Sequence, residues 1–155
     1  MIDSNASPWL SALAFAVFFV TLWLAVTFAL SRSDWHAFAL KYPAARKPDG
    51  KRYSVRHAAF NSPLAGYRNA INAVFLAEGV YLSPVFVFRA FHAPMLVPWS
   101  VVRQVFEKRD WLGRRYVIRI EDDGRKLELH LSKKVEEVLR RSCPVAITSN
   151  YPAAA

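Results

Sequence analysis

The chain has 155 residues, of which 54% are hydrophobic, and it carries 21 Lys and Arg against 12 Asp and Glu. This length limits it to about one domain and excludes large multidomain enzymes. Its single cysteine, Cys143, excludes an intramolecular disulfide and a zinc site built from several cysteines. The unusual feature is that so apolar a chain is also so basic.

The apolar residues concentrate near the start of the chain. Residues Trp9 to Leu30 form a run of 22 without a charge. As a helix, this run would span about 33 Å, which exceeds a hydrocarbon core of about 30 Å. We therefore predict a transmembrane helix over Trp9 to Leu30, with the lipid bilayer as its partner and residues 1–8 as a preceding tail.

A cleaved secretory signal is the alternative interpretation of the apolar run. Thr27-Phe28-Ala29 is the best cleavage match. However, such signals have a basic start and an apolar core of about 7 to 15 residues. Residues 1–8 contain no Lys or Arg and the run is longer, so the sequence favours an uncleaved anchor.

The charges that flank the run predict its orientation. Only Asp3 precedes it, whereas residues 31–56 contain seven cations against Asp34 and Asp49. Because Lys and Arg resist translocation, we predict an N-terminus outside and a cytoplasmic C-terminal portion.

The strong positive charge belongs entirely to this C-terminal portion. All 21 cations and 11 of the 12 acids follow residue 30, which gives it a formal charge of +10. Nucleic-acid binding would explain the charge, but so would attraction to an anionic leaflet, at about 1 kcal/mol per cation. With a membrane helix present, the second explanation needs fewer assumptions, and nucleic acid is not the expected partner. Any single cation is equally well explained as an ordinary solvated surface residue with no binding role.

A short amphipathic helix is predicted after the membrane run. Ser33 or Asp34 can cap its start, and Pro43 ends it. Its apolar face could lie on the membrane or pack on the following domain, and its short length favours packing. With the loop after it, this helix makes residues 31–48 a juxtamembrane segment. The residues of the apolar face, at helical spacing, are Trp35, Phe38, Ala39 and Tyr42.

From about Lys51 the pattern changes from helical periodicity to the alternation of short strands, with glycines at the turns. Asp49-Gly50, Glu78-Gly79 and Asp123-Gly124 are typical hairpin turns. Around Glu78-Gly79, a symmetric hairpin would place Phe75 opposite Leu82. Both faces of this hairpin are apolar, so we expect a cover on each side, with the amphipathic helix as one candidate.

The hairpin at Asp122–Arg125 is the better determined one, with those four residues as its loop. One register puts two opposite-charge pairs on the wet face and six apolar side chains on the buried face, namely Tyr116, Ile118, Ile120, Leu127, Leu129 and Leu131. A slip of one residue would turn every leucine toward water. The predicted pairs are Glu121 with Lys126, Ile120 with Leu127, Arg119 with Glu128, Ile118 with Leu129 and Tyr116 with Leu131.

The remaining elements follow from prolines, glycines and helix signals. Pro94 and Pro98 either confine a strand to about Met95–Val97 or place it at a sheet edge, because proline donates no hydrogen bond. A turn is expected at residues 111–113. Ser132 is predicted to cap a helix over residues 133–141, which leaves residues 142–155 as a tail. Two lysines at the start of this helix oppose its dipole, which indicates either an anionic neighbour or ordinary solvated side chains.

The order of these segments resembles a known group. Glu78–Ser83, Phe88-Arg89 and Pro94–Ser100 with Val102, preceded by Trp35–Ala39 and Tyr42, resemble small bacterial single-pass membrane proteins with a pleckstrin-homology-like (PH/GRAM-like) β-domain. The resemblance implies a split barrel or two-sheet sandwich over residues 49–141, plugged at one end by the C-terminal helix. It also implies a location at the inner membrane and a role in binding lipid headgroups or proteins.

The candidate binding surface consists of cations near the first strands and an apolar rim. The residues of this candidate surface are Lys51, Arg52, Arg56, Arg68, Phe86, Phe88, Phe91 and Trp99. They do not show the spaced basic signature of phosphoinositide-binding PH domains.

The sequence carries no motif that predicts catalysis, a cofactor or a metal. The four histidines lack metal-binding spacing, and the common phosphate-binding and nucleophile motifs are absent. His92 is the one histidine that merits testing, although a structural role suits it better. We therefore predict a non-catalytic module that binds or scaffolds a membrane or cytoplasmic protein. The alternatives are a sensor of anionic lipid headgroups and, less well supported, a membrane-bound hydrolase.

Overall fold

The computed structural model describes residues 8–31, 34–61, 66–111 and 113–149. Residues 1–7 of the predicted first tail, Ser33 as an alternative cap, Leu112 of the predicted turn and the end of the predicted last tail lie outside them. The helices are α1 (Pro8–Ser31), α2 (Asp34–Lys41) and α3 (Glu136–Ser142). The strands are β1 (Tyr53–Phe60), β2 (Gly66–Phe75), β3 (Gly79–Pro84), β4 (Met95–Pro98), β5 (Val102–Asp110), β6 (Gly113–Asp122), β7 (Arg125–Ser132) and β8 (Ile147–Ser149).

Helix α1 confirms the helix predicted over the apolar run. Over Pro8–Ala29 it is long and apolar enough to cross a membrane, and the domain covers few of its side chains. Its threonine hydroxyls are satisfied within the helix, because Thr21 donates to the Val17 carbonyl and Thr27 to the Trp23 carbonyl, each at 2.8 Å. A helix of this kind leaves few unsatisfied polar groups for hydrocarbon to accommodate.

The eight described strands form one curled sheet in the order β4-β3-β2-β1-β7-β6-β5-β8. Neighbours are antiparallel except for β8, which runs parallel to β5. The inner face encloses one hydrophobic core to which both halves of the sheet contribute. The predicted fold class is confirmed in its architecture: a long apolar N-terminal helix precedes a small, mostly-β domain with a short C-terminal helix.

The register predicted for the β6–β7 hairpin is confirmed pair by pair. The ladder extends one pair further than expected, because Asp122 pairs with Arg125 and only Asp123-Gly124 remains as the turn. Both turn residues have positive φ, 48° and 75°, as a tight hairpin of this hand requires. Burial fixed the register, since six side chains of the inner face are fully buried: Tyr116, Ile118, Ile120, Leu127, Leu129 and Leu131.

The β2–β3 hairpin is shifted by two residues from the prediction. Phe75 pairs with Val80 rather than Leu82, and residues 76–78 connect the two strands. A shift of two keeps every side chain on its predicted face. Gly79 is required for another reason than turn geometry: a Cβ there would lie 2.2 Å from the carbonyl oxygen of Val97 on β4. Asp49-Gly50 is a bend that leads into β1 and forms no hairpin.

The C-terminal segment differs from the prediction in two respects. Ser132 makes no side-chain capping bond, and the helix starts with a 3-10 turn over Lys133–Val135 before α3. The predicted tail is not wholly unstructured, because Ile147–Ser149 forms β8 against β5. The edge of β5 presents unpaired backbone groups, and this segment satisfies some of them.

Helix α2 packs on the domain, which resolves the alternative left open by the sequence. Its Trp35 is 1% exposed, and the indole Nε1 donates to the carbonyl of Ala93 at 2.9 Å. The same indole meets the rings of Phe60, Tyr67 and His92 edge-on at 5.7–6.2 Å. One side chain of α2 therefore contacts β1, β2 and the loop before β4.

The end of α2 is held by polar contacts. Lys41 forms ion pairs with Asp122, at 2.6 Å, and with Asp123 in the β6–β7 turn. The Tyr42 hydroxyl donates to Asp122 at 2.6 Å. The bonds from Lys41 and Tyr42 lower the pKa of the Asp122 carboxyl. Just beyond α2, the backbone N–H of Leu96 in β4 donates to the Tyr42 carbonyl at 3.0 Å.

The two short helices cover opposite ends of the sheet. Helix α2 lies at the Phe60 end of β1, whereas α3 lies near Tyr53, where β1 begins. Arg114 at the start of β6 reaches Glu136 of α3 at 3.6 Å, which places α3 at that same end. The eight residues of β1 separate the two ends by about 25 Å.

Trp35→Ala tests the importance of this packing. We expect the free energy of unfolding to fall by about 3–5 kcal/mol, because the substitution removes a large buried ring and its hydrogen bond. Trp111→Ala is the matched control, since Trp111 is 91% exposed, and it should change stability by about 0.5 kcal/mol or less. Denaturant unfolding in mild detergent, followed by circular dichroism, measures both. Equal effects of the two substitutions would contradict the packing role.

His92 predicts a pH dependence of stability. Burial lowers the pKa of His92, opposed more weakly by a backbone contact at Phe88. The unfolded state, with a pKa of about 6.5, therefore binds the proton more tightly. The stabilising contribution of His92 to the free energy of unfolding is thus complete above about pH 6.5 and decreases as the pH falls below that value. His130, whose pKa burial also lowers, acts with the same sign.

We expect the Tm to fall between about pH 7.5 and about pH 5.5, and His92→Gln to make that fall smaller while part of it persists through His130. His36→Gln, at an exposed position of α2, is the matched control and should keep the wild-type response. Thermal unfolding at the two pH values measures the difference. An unchanged response in His92→Gln would refute the assignment.

Candidate functional site

A basic cleft opens at the α3 end of the sheet. It has two adjoining parts, of about 440 and 340 Å³, which share Arg56, Ser132 and Lys134 as lining residues. Its walls come from the start of β1, the β5–β6 turn and the 3-10 turn after β7. Among the described residues that line it, none is acidic. The cations of the cleft are Lys51, Arg52, Arg56, Arg109, Arg114, Lys133 and Lys134.

The first wall of the cleft is formed by β1, whose side chains point alternately into the core and outward. Val55 and Ala58 are fully buried, so Arg56 faces outward between them. The pairing register shifts between Val55 and His57, as in a β-bulge, and bulges redirect the side chains beside them. On the facing strand, Asn69 adopts a φ of 50° and also lines the cleft.

The second wall comes from a hairpin and a helix start. Arg109 and Arg114 pair across β5 and β6, and Lys133 and Lys134 follow directly after β7. Arg114 is partly neutralised by glutamates of β5 and α3, at 3.9 and 3.6 Å. A concave surface lined by one sign of charge concentrates the field and attracts anions.

The structure brings together three of the four cations predicted from the sequence. Lys51, Arg52 and Arg56 line the cleft. Arg68 does not belong to it, because it projects from β2 opposite His57 and is exposed.

The predicted apolar rim is divided. Trp99 was expected at the surface, but it is 5% exposed and its indole donates to the Leu76 carbonyl at 2.9 Å. It stacks on Phe75 in the core, so it is a packing residue. Phe86, Phe88 and Phe91 lie together in the β3–β4 loop, beside α1 and away from the cleft.

The candidate surface predicted from the sequence lacked four of the cleft cations. Arg109 and Arg114 flank the predicted turn, so their pairing could have been inferred from the hairpin. Lys133 and Lys134 were noted for their position against the helix dipole. What the sequence did not provide is the sheet order, which brings the β5–β6 turn close to the start of β1.

Several titratable groups lie outside the cleft and contact other side chains of the domain. His57 and His130 face each other with ring centroids 5.5 Å apart, and Glu128 lies 3.6 Å from His130. The Nε2 of His92 and the Tyr67 hydroxyl share a hydrogen bond of 2.8 Å. Throughout residues 8–31, 34–61, 66–111 and 113–149, no cluster of three or more His, Cys, Asp or Glu could hold a metal ion.

Cys143 has the environment of an unreactive thiol. It is half-buried at the end of α3, and its sulfur lies 3.7 Å from the carbonyl oxygen of Val145. Burial raises the pKa of the thiol, which reduces the thiolate fraction at neutral pH and with it the reactivity.

Comparison with known proteins adds little to this geometry. No family model matches the chain. No curated protein matches it either. Among solved structures, it is similar to a chain in the structure of the Spt16D Pob3N heterodimer, with 11% sequence identity and a TM-score of 0.41. The match covers 71% of this chain and 60% of that one.

Proposed function

We propose that this protein is a single-pass, membrane-anchored and non-catalytic binding module. Its domain lies on the cytoplasmic face of a bacterial inner membrane and binds an acidic segment of a protein partner in the basic cleft. The observation that carries the proposal is the cleft itself, where seven cations converge on a concave surface with no acidic lining residue among those described. Such a surface recognises anionic groups, and its arginines can each bind a carboxylate in two places.

The position of the cleft favours a protein over the membrane surface as the partner. Helix α1 ends two residues before α2 begins, and α2 packs at the far end of β1 from the cleft. A separation of about 25 Å is about three times the Debye length of roughly 8 Å at physiological salt. Lipid headgroups at the base of α1 would therefore interact weakly with the cleft.

The residue types in the cleft favour binding over catalysis. Its described lining consists of Lys, Arg, Ser, Tyr, Asn and Gly. It lacks a His, Cys, Asp or Glu within this described lining, and these are the usual general bases and metal ligands. A membrane-bound hydrolase gains no support from this geometry.

Reversing charge in the cleft tests the proposal. The double variant Arg56→Glu and Lys134→Glu changes two exposed cleft residues. We expect it to weaken binding of a labelled oligo-glutamate peptide to the full-length protein in neutral detergent by about tenfold or more. Wild-type affinity should fall as salt increases. Fluorescence anisotropy at several salt concentrations measures Kd.

The matched control is Arg103→Glu with Arg125→Glu, which makes the same change in net charge at exposed positions outside the cleft. It should change Kd by less than about threefold, because distant exposed charges are screened. Equal weakening by both pairs would show that net charge alone drives binding. If only the cleft variant loses anionic phospholipid that co-purifies with the wild type, the lipid-sensor alternative replaces the protein partner.

The orientation is tested by reporters at the C-terminus. We expect a reporter that is active only in the cytoplasm to function and a periplasmic reporter to remain inactive, because the cations after α1 resist translocation. A variant in which Arg46, Lys47, Lys51 and Arg52 are replaced by Gln should shift part of the population to the opposite orientation. Periplasmic activity of the unmodified chain would refute the proposed orientation.

A further inference from the structure

The loop between β3 and β4 has an apolar tip that the domain does not cover. Phe86 is 85% exposed, Val87 is 55% exposed and Phe91 is 39% exposed. Three large apolar side chains grouped in this way on a soluble surface would be costly to hydrate. Exposed apolar groups of this kind mark a site of interaction.

This tip lies along α1. The ring of Phe88 is 5.4 Å from that of Trp23, and the ring of Phe91 is 5.4 Å from that of Phe28. Between loop and helix runs an apolar groove of about 270 Å³. The groove is lined by Phe19, Val20, Trp23 and Val87.

The level of these contacts along α1 gives the depth of the loop. The apolar span ends at Ala29, and at about 1.5 Å per residue Trp23 lies about 9 Å before that end and Phe19 about 15 Å before it. If Pro8–Ala29 fills the hydrocarbon core, the loop tip lies inside one leaflet. Were the contact region instead outside the bilayer, only Pro8–Leu22 would remain, about 22 Å of helix for a core of about 30 Å.

The backbone and charges of the loop are compatible with insertion. The N–H of Val85 donates to Ala70 at 2.9 Å, and those of Phe88 and Arg89 donate within the 3-10 turn to Val85 and Phe86. Internal bonds of this kind lower the cost of placing a backbone in hydrocarbon.

The charged side of the loop is separate from its apolar tip. Arg89 borders a second cleft with Lys47, Ser83 and His92. A long cationic side chain there can extend its head to the phosphate level while the tip stays in the acyl layer.

We propose that the Val85–Phe91 loop inserts into the bilayer leaflet that holds the C-terminal end of α1, with lipid acyl chains covering its tip and filling the apolar groove. The inference rests on the proposed membrane anchoring of α1. Helix and loop together hold the domain against the membrane with the basic cleft turned away from it.

Depth-dependent quenching tests this insertion in the full-length chain. In a Cys143→Ala background, single variants Phe86→Cys, Val87→Cys, Val17→Cys and Glu137→Cys are labelled with an environment-sensitive fluorophore. The proteins are reconstituted into phosphatidylcholine vesicles in which some lipids carry a nitroxide near the headgroup or mid-chain. Val17 is the control for α1, and Glu137, exposed on α3, is the aqueous control.

Labels at residues 86 and 87 should be quenched at least about threefold more strongly than the label at residue 137. The headgroup nitroxide should quench them more than the mid-chain nitroxide does. The label at residue 17 should respond mainly to the mid-chain nitroxide. Strong quenching at residue 17 with none at residues 86 and 87 would overturn the loop insertion and leave the anchor intact. Absence of quenching at residue 17 would overturn the anchor and the insertion together. Far-UV circular dichroism of each labelled variant verifies that it is folded.

Discussion

The burial of Trp35 is the interaction on which the arrangement of this protein depends. Its indole ties α2 to the β1–β2 region through Phe60 and Tyr67, and to the end of the β3–β4 loop through His92 and the Ala93 carbonyl. Only two residues separate α1 from α2. Anchoring α2 therefore also determines where α1 leaves the domain, and it holds the apolar loop on the side of the domain that α1 occupies.

Apolar and basic surfaces are segregated by this arrangement. The exposed apolar side chains belong mainly to α1 and the β3–β4 loop, whereas the cleft cations gather at the opposite end of β1. The apolar residues and the cations that make the composition unusual are thus located at different ends of one small molecule. With α1 in a membrane, as we propose, mixing the two surfaces would place cations against hydrocarbon, which costs several kcal/mol per charge.

The sequence predicted local structure well where burial left one solution. The β6–β7 register could be predicted because a slip of one residue would expose six large side chains. Around Glu78-Gly79, a shift of two residues leaves every side chain on the same face of the sheet, so the alternation of apolar and polar residues could not detect it. Trp99 was misplaced because a Trp after a proline is equally suited to a surface or a core. Strand β8 was missed, since three residues of an edge strand carry little pattern. The cleft depends on strand order, which local periodicity does not encode.

The length of the connections constrains what kind of partner the domain can bind. A domain on a long flexible linker samples a wide volume, and its effective concentration near any membrane site falls as the linker lengthens. Here the connection is two residues, and the proposed loop insertion adds a second contact with the bilayer. The cleft is then held about 25 Å beyond the α2 end of the domain. An acidic segment displayed at that height by another membrane-bound protein would meet the cleft without the entropic cost of ordering a linker, whereas a lipid headgroup would not reach it.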